Sequence, residues 1–330
     1  MPQPKVFVTR LIPDAGLDRV KKQCAADVWT EPLPPPRDVL LERVADCDGL
    51  LALLTETVDA ELLDAAPKLK VVSNYAVGFN NVDVPAATQR GICVGNTPGV
   101  LTEATADLAC ALLLSAARRI VEGSRYAASG QWRTWEPRGH IGQDLCDKTL
   151  GIVGLGRIGT ALARRCCAAW NMRLIYCDPQ PNAEAEQSLG AERVDFDRLL
   201  AEADFISIHA DLNDTTRGMF NAAAFKKMKS TAVLVNTSRG PLVVEEDLHA
   251  ALREGQLFAA GLDVTDPEPP APDNPLLTLD NCVVVPHVAS ATVSSRNGMA
   301  EIAAANLIAG LRGEPLPHWV NPEVADRRRA

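Results

Sequence analysis

The sequence predicts an α/β protein of two lobes, each a doubly wound parallel sheet, with a cleft between them. Three observations carry this. Short β-rich runs alternate with helical patterns in two successive series, the signature of parallel sheets. A length of 330 residues, at about 150 per domain, gives roughly two domains. A glycine-rich turn joins an apolar run to a helical one at the head of the second series, as dinucleotide folds require.

The first series comprises Lys5 to Thr9, Gly49 to Leu53, Leu69 to Ser73 and Ile92 to Val94. A helix is expected next over Thr102 to Ile120. Glu103 and Asp107 lie near its start and Arg118 and Arg119 near its end, as the helix dipole favours, and it reads as a long inter-domain helix. The second series is Leu150 to Val153, Arg173 to Cys177, Phe205 to His209, Ala232 to Asn236, Ala259 to Asp263 and Cys282 to Pro286. Six strands suit a Rossmann-type lobe. A last helix over Met299 to Leu311 stops at Gly313 and Pro315 after that series is complete, so it is expected to pack back on the first domain. Pro32 to Pro36 and Pro267 to Pro275 read as loops, because proline lacks a backbone donor.

Composition narrows the function. With 33 basic and 42 acidic residues the net charge is -9, which argues against a nonspecific nucleic-acid or anionic-membrane binder. Arg327, Arg328 and Arg329 read as a solvated tail. The apolar stretch Leu108 to Ala117 is far shorter than the roughly 20 residues of a membrane span. Met1 to Lys5 lacks a signal-type apolar region, so the cytoplasm is expected. Nine cysteines without a Cys-x-x-Cys pair indicate neither a disulfide framework nor a zinc ribbon, and no metal is expected. Cys166 and Cys167 point to different helix faces and read as packing residues.

The fingerprint Gly154-Leu155-Gly156-Arg157-Ile158-Gly159 follows the apolar run ending at Val153 and opens a helix over Thr160 to Trp170. Its glycines allow a tight turn and close approach of backbone amides to a pyrophosphate. Asp178, 19 residues beyond Gly159, ends the next strand, where its carboxylate suits ribose hydroxyls and would repel a 2′-phosphate. No Arg or Lys occurs from Pro179 to Ala183, so NAD(H) is favoured, with NADP(H) as the alternative.

Three further residues form a candidate catalytic set. Arg239, in Asn236-Thr237-Ser238-Arg239-Gly240, stands at a carboxyl-terminal strand edge, where a guanidinium can grip a carboxylate. An isolated Arg is more often a surface ion pair, and position reverses that preference here. His287 follows Pro286 at another strand end, suited to acid/base work. Glu268, framed by Pro267 and Pro269, is placed to hold His287 in one tautomer. Of the other histidines only His209, also at a strand end, is a weak cofactor-contact candidate.

These residues, with Tyr75 to Phe79, Asn96 to Thr102, Gly261 to Val264, Pro286-His287 and Gly310 to Pro315, resemble the D-isomer-specific 2-hydroxyacid dehydrogenases over nearly the whole chain. Within that family the likeness is greatest to glyoxylate/hydroxypyruvate reductases. The resemblance implies a discontinuous, flavodoxin-like substrate domain (1–99 plus 288–330) and a dinucleotide-binding domain (100–287). It implies reduction of a small 2-oxo acid to the 2-hydroxy acid, with Arg239, Glu268 and His287 catalytic. It further places the amides of Val77 and Gly78 on the substrate carboxylate, with Ser290 nearby. Leu155 to Ile158, Thr237 and Ser238 fall on the cofactor, and Asp263 on the nicotinamide amide. A homodimer is implied, with Trp135 reaching the neighbour's cleft; ordinary interface packing of Trp132 and Trp135 is the alternative. Relatives with NADPH preference commonly carry Arg near position 178, and two other departures, Asn80 and Ala289, bear on pocket shape. Other readings are a lactate- or phosphoglycerate-type dehydrogenase and a dinucleotide-sensing corepressor. Val77 argues against a phosphite dehydrogenase, which would carry Lys there.

Overall fold

The computed structural model describes residues 3–329, and the chain divides into two compact units, one of residues 1–101 with 291–330 and one of residues 102–290.

The first unit begins β1 (Lys5–Val8), α1 (Asp14–Gln23), β2 (Ala25–Val28), α2 (Arg37–Val44), β3 (Gly49–Ala52) and α3 (Ala60–Ala65). It continues through β4 (Val71–Asn74), α4 (Val84–Gln89) and β5 (Cys93–Gly95). The strands form one parallel sheet in the order β2-β1-β3-β4-β5. That order is the flavodoxin-type one, with its reversal between β1 and β3. The central strands are buried throughout, as a parallel sheet covered on both faces demands. β2, an exposed edge strand that carries Asp27, has too little apolar pattern to be seen in the sequence.

The second unit opens with α5 (Thr102–Ala117) and α6 (Ile120–Ala128). The single helix expected to reach Ile120 is therefore two. Arg119 adopts a left-handed conformation at φ 53° between them, and its guanidinium grips Glu122 with two 2.6 Å hydrogen bonds. α5 packs on the helix and strands of its own unit. Next come β6 (Thr149–Val153), α7 (Arg157–Trp170), β7 (Arg173–Cys177), α8 (Ala183–Leu189) and β8 (Glu192–Arg193). The unit closes with α9 (Phe196–Glu202), β9 (Phe205–Ile208), α10 (Ala222–Phe225), β10 (Val233–Asn236), α11 (Glu245–Arg253), β11 (Ala259–Leu262) and β12 (Cys282–Val284).

This sheet is also parallel, ordered β12-β11-β10-β9-β6-β7-β8. The order reverses between β6 and β9, the switch point at which a doubly wound sheet binds its ligand. Seven strands replace the six expected, because β8 is a two-residue charged edge strand with no hydrophobic signal. α7 likewise starts at Arg157 rather than Thr160, since the fingerprint residues supply its first turn.

The final helix, α12 (Val293–Leu311), begins six residues earlier than the apolar pattern, at a Thr292 N-cap that accepts from the Ser295 amide. It packs on α1, β3, β4 and β5 of the first unit. Glycines allow the closeness: a Cβ on Gly16 would stand 2.2 Å from the Ala300 carbonyl oxygen. The arginine run after it is not the solvated tail its composition suggests. Arg328 and Arg329 are half-buried, and the Arg329 amide donates to Gly91. Asn321 anchors the same segment by accepting from the Val94 amide and donating to the Ile92 carbonyl. Among the described residues no helix is long and apolar enough to cross a membrane.

Candidate active site

The glycine loop leaves β6 at the switch point. Gly154 takes φ +91°, a region that penalises a Cβ, and a side chain there would also strike the Ala210 amide at 2.6 Å. Gly159 lets α7 approach the loop, since its Cβ would stand 2.5 Å from the Gly154 carbonyl oxygen. Gly156 differs: a Cβ there meets nothing within 4 Å, so the loop's middle glycine faces open space. It is also the N-cap of the 14-residue α7, and no side chain caps that end. Uncapped amides at the positive end of a helix, beside open space, fit a dinucleotide pyrophosphate. The buried Thr237 hydroxyl, which has no partner among the described residues, is a second feature that fits a bound group.

Asp178 sits at the end of β7. Its Oδ2 accepts from the Leu155 amide at 2.9 Å and its Oδ1 from the Gln180 amide at 3.0 Å, which holds the carboxylate against the glycine loop. Asn182 supports the loop from below, donating to the Leu155 carbonyl at 2.8 Å. Arg193 of β8 also belongs here, donating to the carbonyls of Asp178 at 3.0 Å and Pro179 at 2.6 Å. It lies beyond the Pro179 to Ala183 segment in the chain, and the parallel pairing of β7 with β8 brings it across.

Arg239, Glu268 and His287 come from three loops at the carboxyl ends of β10, β11 and β12. Asn236 shapes the first. Its Nδ2 donates to the Arg239 carbonyl and its Oδ1 accepts from the Ser238 amide, while the Ser238 hydroxyl ties the turn to the Ala210 carbonyl. Gly240 sets this loop against the next, for a Cβ there would lie 1.9 Å from the Thr265 carbonyl oxygen. Burial pushes the Arg239 guanidinium below its ordinary range, and the carboxylates of Glu268 and Asp211 counter it.

The loop carrying Glu268 is pinned by the Asp266 amide, which donates to Glu245, and by the Thr265 hydroxyl, which donates to the Pro267 carbonyl. Glu268 Oε1 lies 2.5 Å from His287 Nδ1. This contact commits Nδ1 to the carboxylate and leaves Nε2 as the imidazole's other proton-exchanging atom. The backbone of His287 is left-handed at φ 50°, a conformation seldom taken by residues with a Cβ and typical of functional sites.

Asp263 sustains that conformation. Its carbonyl accepts from the His287 amide, and its buried carboxylate accepts from the amides of Val288 at 2.7 Å and Ala289 at 3.0 Å. Burial pushes this carboxyl above its ordinary range, against the two amides that favour the ionised form. Sequence reading placed Asp263 on the nicotinamide alone, yet its carboxylate also builds the His287 loop. Neither Asn236 nor Asp263 announces such a positioning role by residue type.

The remaining candidates lie apart from this set in the chain. Val77 and Gly78 follow β4 in the first unit, where Asn96 and Asn74 donate to their carbonyls at 2.7 and 2.9 Å and fix both peptide planes. Ser290 is half-buried at the end of the second unit. Trp135 is 80% exposed in the loop after α6, near the exposed Trp132. His209 meets Ser207 Oγ at 2.9 Å, and burial lowers its pKa to about 4, so it is neutral near pH 7.

Comparison with known proteins decides the family. The profile described as D-isomer specific 2-hydroxyacid dehydrogenase, NAD binding domain, matches residues 110–289. A glyoxylate reductase of Korarchaeum cryptofilum is 50% identical over 327 residues, covering 99% of this chain and 98% of its own. The chain belongs to the D-isomer-specific 2-hydroxyacid dehydrogenase family. This dehydrogenase is thus a nicotinamide-dinucleotide-dependent oxidoreductase. A solved protein of Thermus thermophilus superposes at a TM-score of 0.89 with 46% identity, covering 96% of this chain and 99% of its own. The NADPH-dependent glyoxylate/hydroxypyruvate reductase of Sinorhizobium meliloti, solved with NADP and malonate, superposes at 0.83 with 31% identity, covering 99% of each chain.

Proposed function

We propose that the protein reduces a small 2-oxo acid, glyoxylate and/or hydroxypyruvate, to the 2-hydroxy acid. The observation that carries this is the 2.5 Å contact of His287 Nδ1 with Glu268 Oε1, on a loop adjoining that of the half-buried Arg239. A dinucleotide held at the loop from Gly154 to Gly159 would supply the hydride for the 2-oxo carbon. Protonated His287 gives its Nε2 proton to the carbonyl oxygen as negative charge develops there. Glu268 holds the ring and stabilises its cationic form, and Arg239 offsets charge on the carbonyl oxygen while gripping the carboxylate. Val77 and Gly78 in the first unit and Ser290 in the second are the further residues that this reading assigns to the substrate. Leu155, Arg157, Ile158, Thr237 and Ser238 would border the dinucleotide, and Asp263 would meet its carboxamide.

NAD(H) is the preferred cofactor on this reading, because the fixed Asp178 carboxylate repels a 2′-phosphate and two donors of Arg193 are spent on carbonyls. Nine free cysteines fit a reducing compartment such as the cytoplasm. Exposed Ile120, Trp132, Trp135 and Ile141, clustered in one segment, support a homodimer with Trp135 near the neighbour's site. The test is the rate of reduced-nicotinamide loss with glyoxylate, hydroxypyruvate and pyruvate, each with NADH and NADPH. Fast NADH-dependent turnover of the first two is expected. An NADPH preference would refute the Asp178 reading, and no turnover would move weight to another 2-hydroxy acid.

A further inference from the structure

A cavity of about 190 Å³ in the first unit is lined by Lys70, Cys93, Gly310, Arg312, Arg328 and Arg329, with Leu311 and Gly313. Among the described residues four cations line it and no carboxylate does, in a chain whose net charge is -9. The docked tail brings two of them in. Gly91, at φ +72°, leaves room for the Arg327 carbonyl oxygen 2.3 Å from where a Cβ would stand. Arg329 Nη1 donates to the carbonyls of Ala66 and Leu69, and Arg328 Nη1 to that of Gly313.

Capping of helix ends accounts for part of this. It does not account for the half-buried Lys70, or for the buried Nε of Arg328, which has no acceptor among the described residues. Arg328 is further immobilised with its guanidinium carbon 4.6 Å from the centre of the Trp319 ring. Burial, and after it the neighbouring Arg90, push the Arg329 guanidinium below its ordinary range, against the opposing pull of the Asp64 carboxylate. A concave site lined by four cations, with the nearby Asp64 carboxylate already held by Arg90, is complementary to an anion.

We propose that this cavity binds a small dianionic phosphate, as the free ion or a compact phosphomonoester. Planar guanidinium forks and a mobile ammonium are the donors that suit tetrahedral phosphate oxygens. The volume lies below the roughly 300 Å³ at which drug-sized pockets begin, which matches a phosphate group in size.

The test is titration of the full chain with inorganic phosphate and, separately, methyl phosphate. It is followed by thermal shift at constant ionic strength against chloride, with Lys70→Gln and Arg312→Gln as variants. Neither residue belongs to the catalytic or cofactor machinery, so activity measured without phosphate stays at the wild-type level and reports folding. Saturable stabilisation weakened about tenfold in apparent affinity in each variant is expected, from loss of one charged hydrogen bond. Binding of inorganic phosphate alone identifies the free ion as occupant, and equal binding of methyl phosphate identifies a monoester. Titrations unchanged in both variants would place the phosphate elsewhere, at the glycine loop for example, and overturn the proposal. An effect matched by chloride would overturn it equally.

Discussion

Replacing Glu268 by Gln removes a charge while keeping the side-chain shape and an oxygen that accepts from His287 Nδ1. The wild-type contact spans 2.5 Å, with the two side chains only 24% and 33% exposed, so the pair is partly shielded from water. A hydrogen bond to a charged group contributes about 1.5–3 kcal/mol and a neutral one about 0.5–1.5, so the charge itself is worth roughly 1–2 kcal/mol. If that stabilisation belongs to the cationic imidazole that delivers the proton, kcat falls roughly 5- to 30-fold. Dinucleotide affinity should be unchanged, because the glycine loop is untouched. Single-turnover reduction of glyoxylate, with dinucleotide binding followed by fluorescence quenching, separates the two. Full kcat in Glu268→Gln, or a loss confined to dinucleotide affinity, would refute the assignment of Glu268 as the partner that sustains His287.

Further outcomes are expected. His287→Ala should lower turnover by at least about a hundredfold with dinucleotide binding near normal, and retained activity would end its assignment as proton donor. Gly240→Ala drives a Cβ to 1.9 Å from the Thr265 carbonyl oxygen, so the Arg239 and Glu268 loops must separate. Urea unfolding should show a loss of about 1–3 kcal/mol together with reduced kcat. Gly156→Val fills the open space at the α7 N-terminus and should weaken dinucleotide binding in calorimetry while leaving the melting temperature nearly unchanged. Burial lowers the pKa of His209 from 6.5 to about 4, so the folded state binds its proton more weakly than the unfolded state does. Stability is therefore full above pH 6.5 and falls as pH drops toward 4, by roughly 3 kcal/mol. Denaturant midpoints at pH 7.5 and 4.5 should show a smaller acid loss in His209→Gln than in the wild type.

Much of both sheets was legible because parallel strands covered on two faces read as near-continuous apolar runs, and Phe205–Ile208 and Val233–Asn236 are apolar but for Ser207 and Asn236. β2 and β8 escaped because edge strands are half-exposed and need no apolar pattern. The break at Arg119 escaped because nothing in its residue type marks a left-handed turn. Arg239, Glu268, His287 and the glycine loop could be picked out because strand-end position and proline or glycine framing are written in the chain. Asn236, Asp263 and Gly240 could not be given their positioning roles, which exist only once neighbouring strands bring separate loops into contact.

The sequence by itself determined the α/β class and the place of the glycine loop, and it singled out Arg239, Glu268 and His287 as candidates, because each depends on local pattern and spacing. Only the tertiary structure decided the rest. The left-handed backbone of His287, the Arg193 bracket on Asp178 and the docking of Arg328 and Arg329 arise from residues far apart in the chain. Composition marked the arginine tail as solvated, since charge is cheapest in water. The folded first unit offers it carbonyls at Ala66, Leu69, Gly91 and Gly313, and these acceptors, invisible along the chain, hold the tail against the protein.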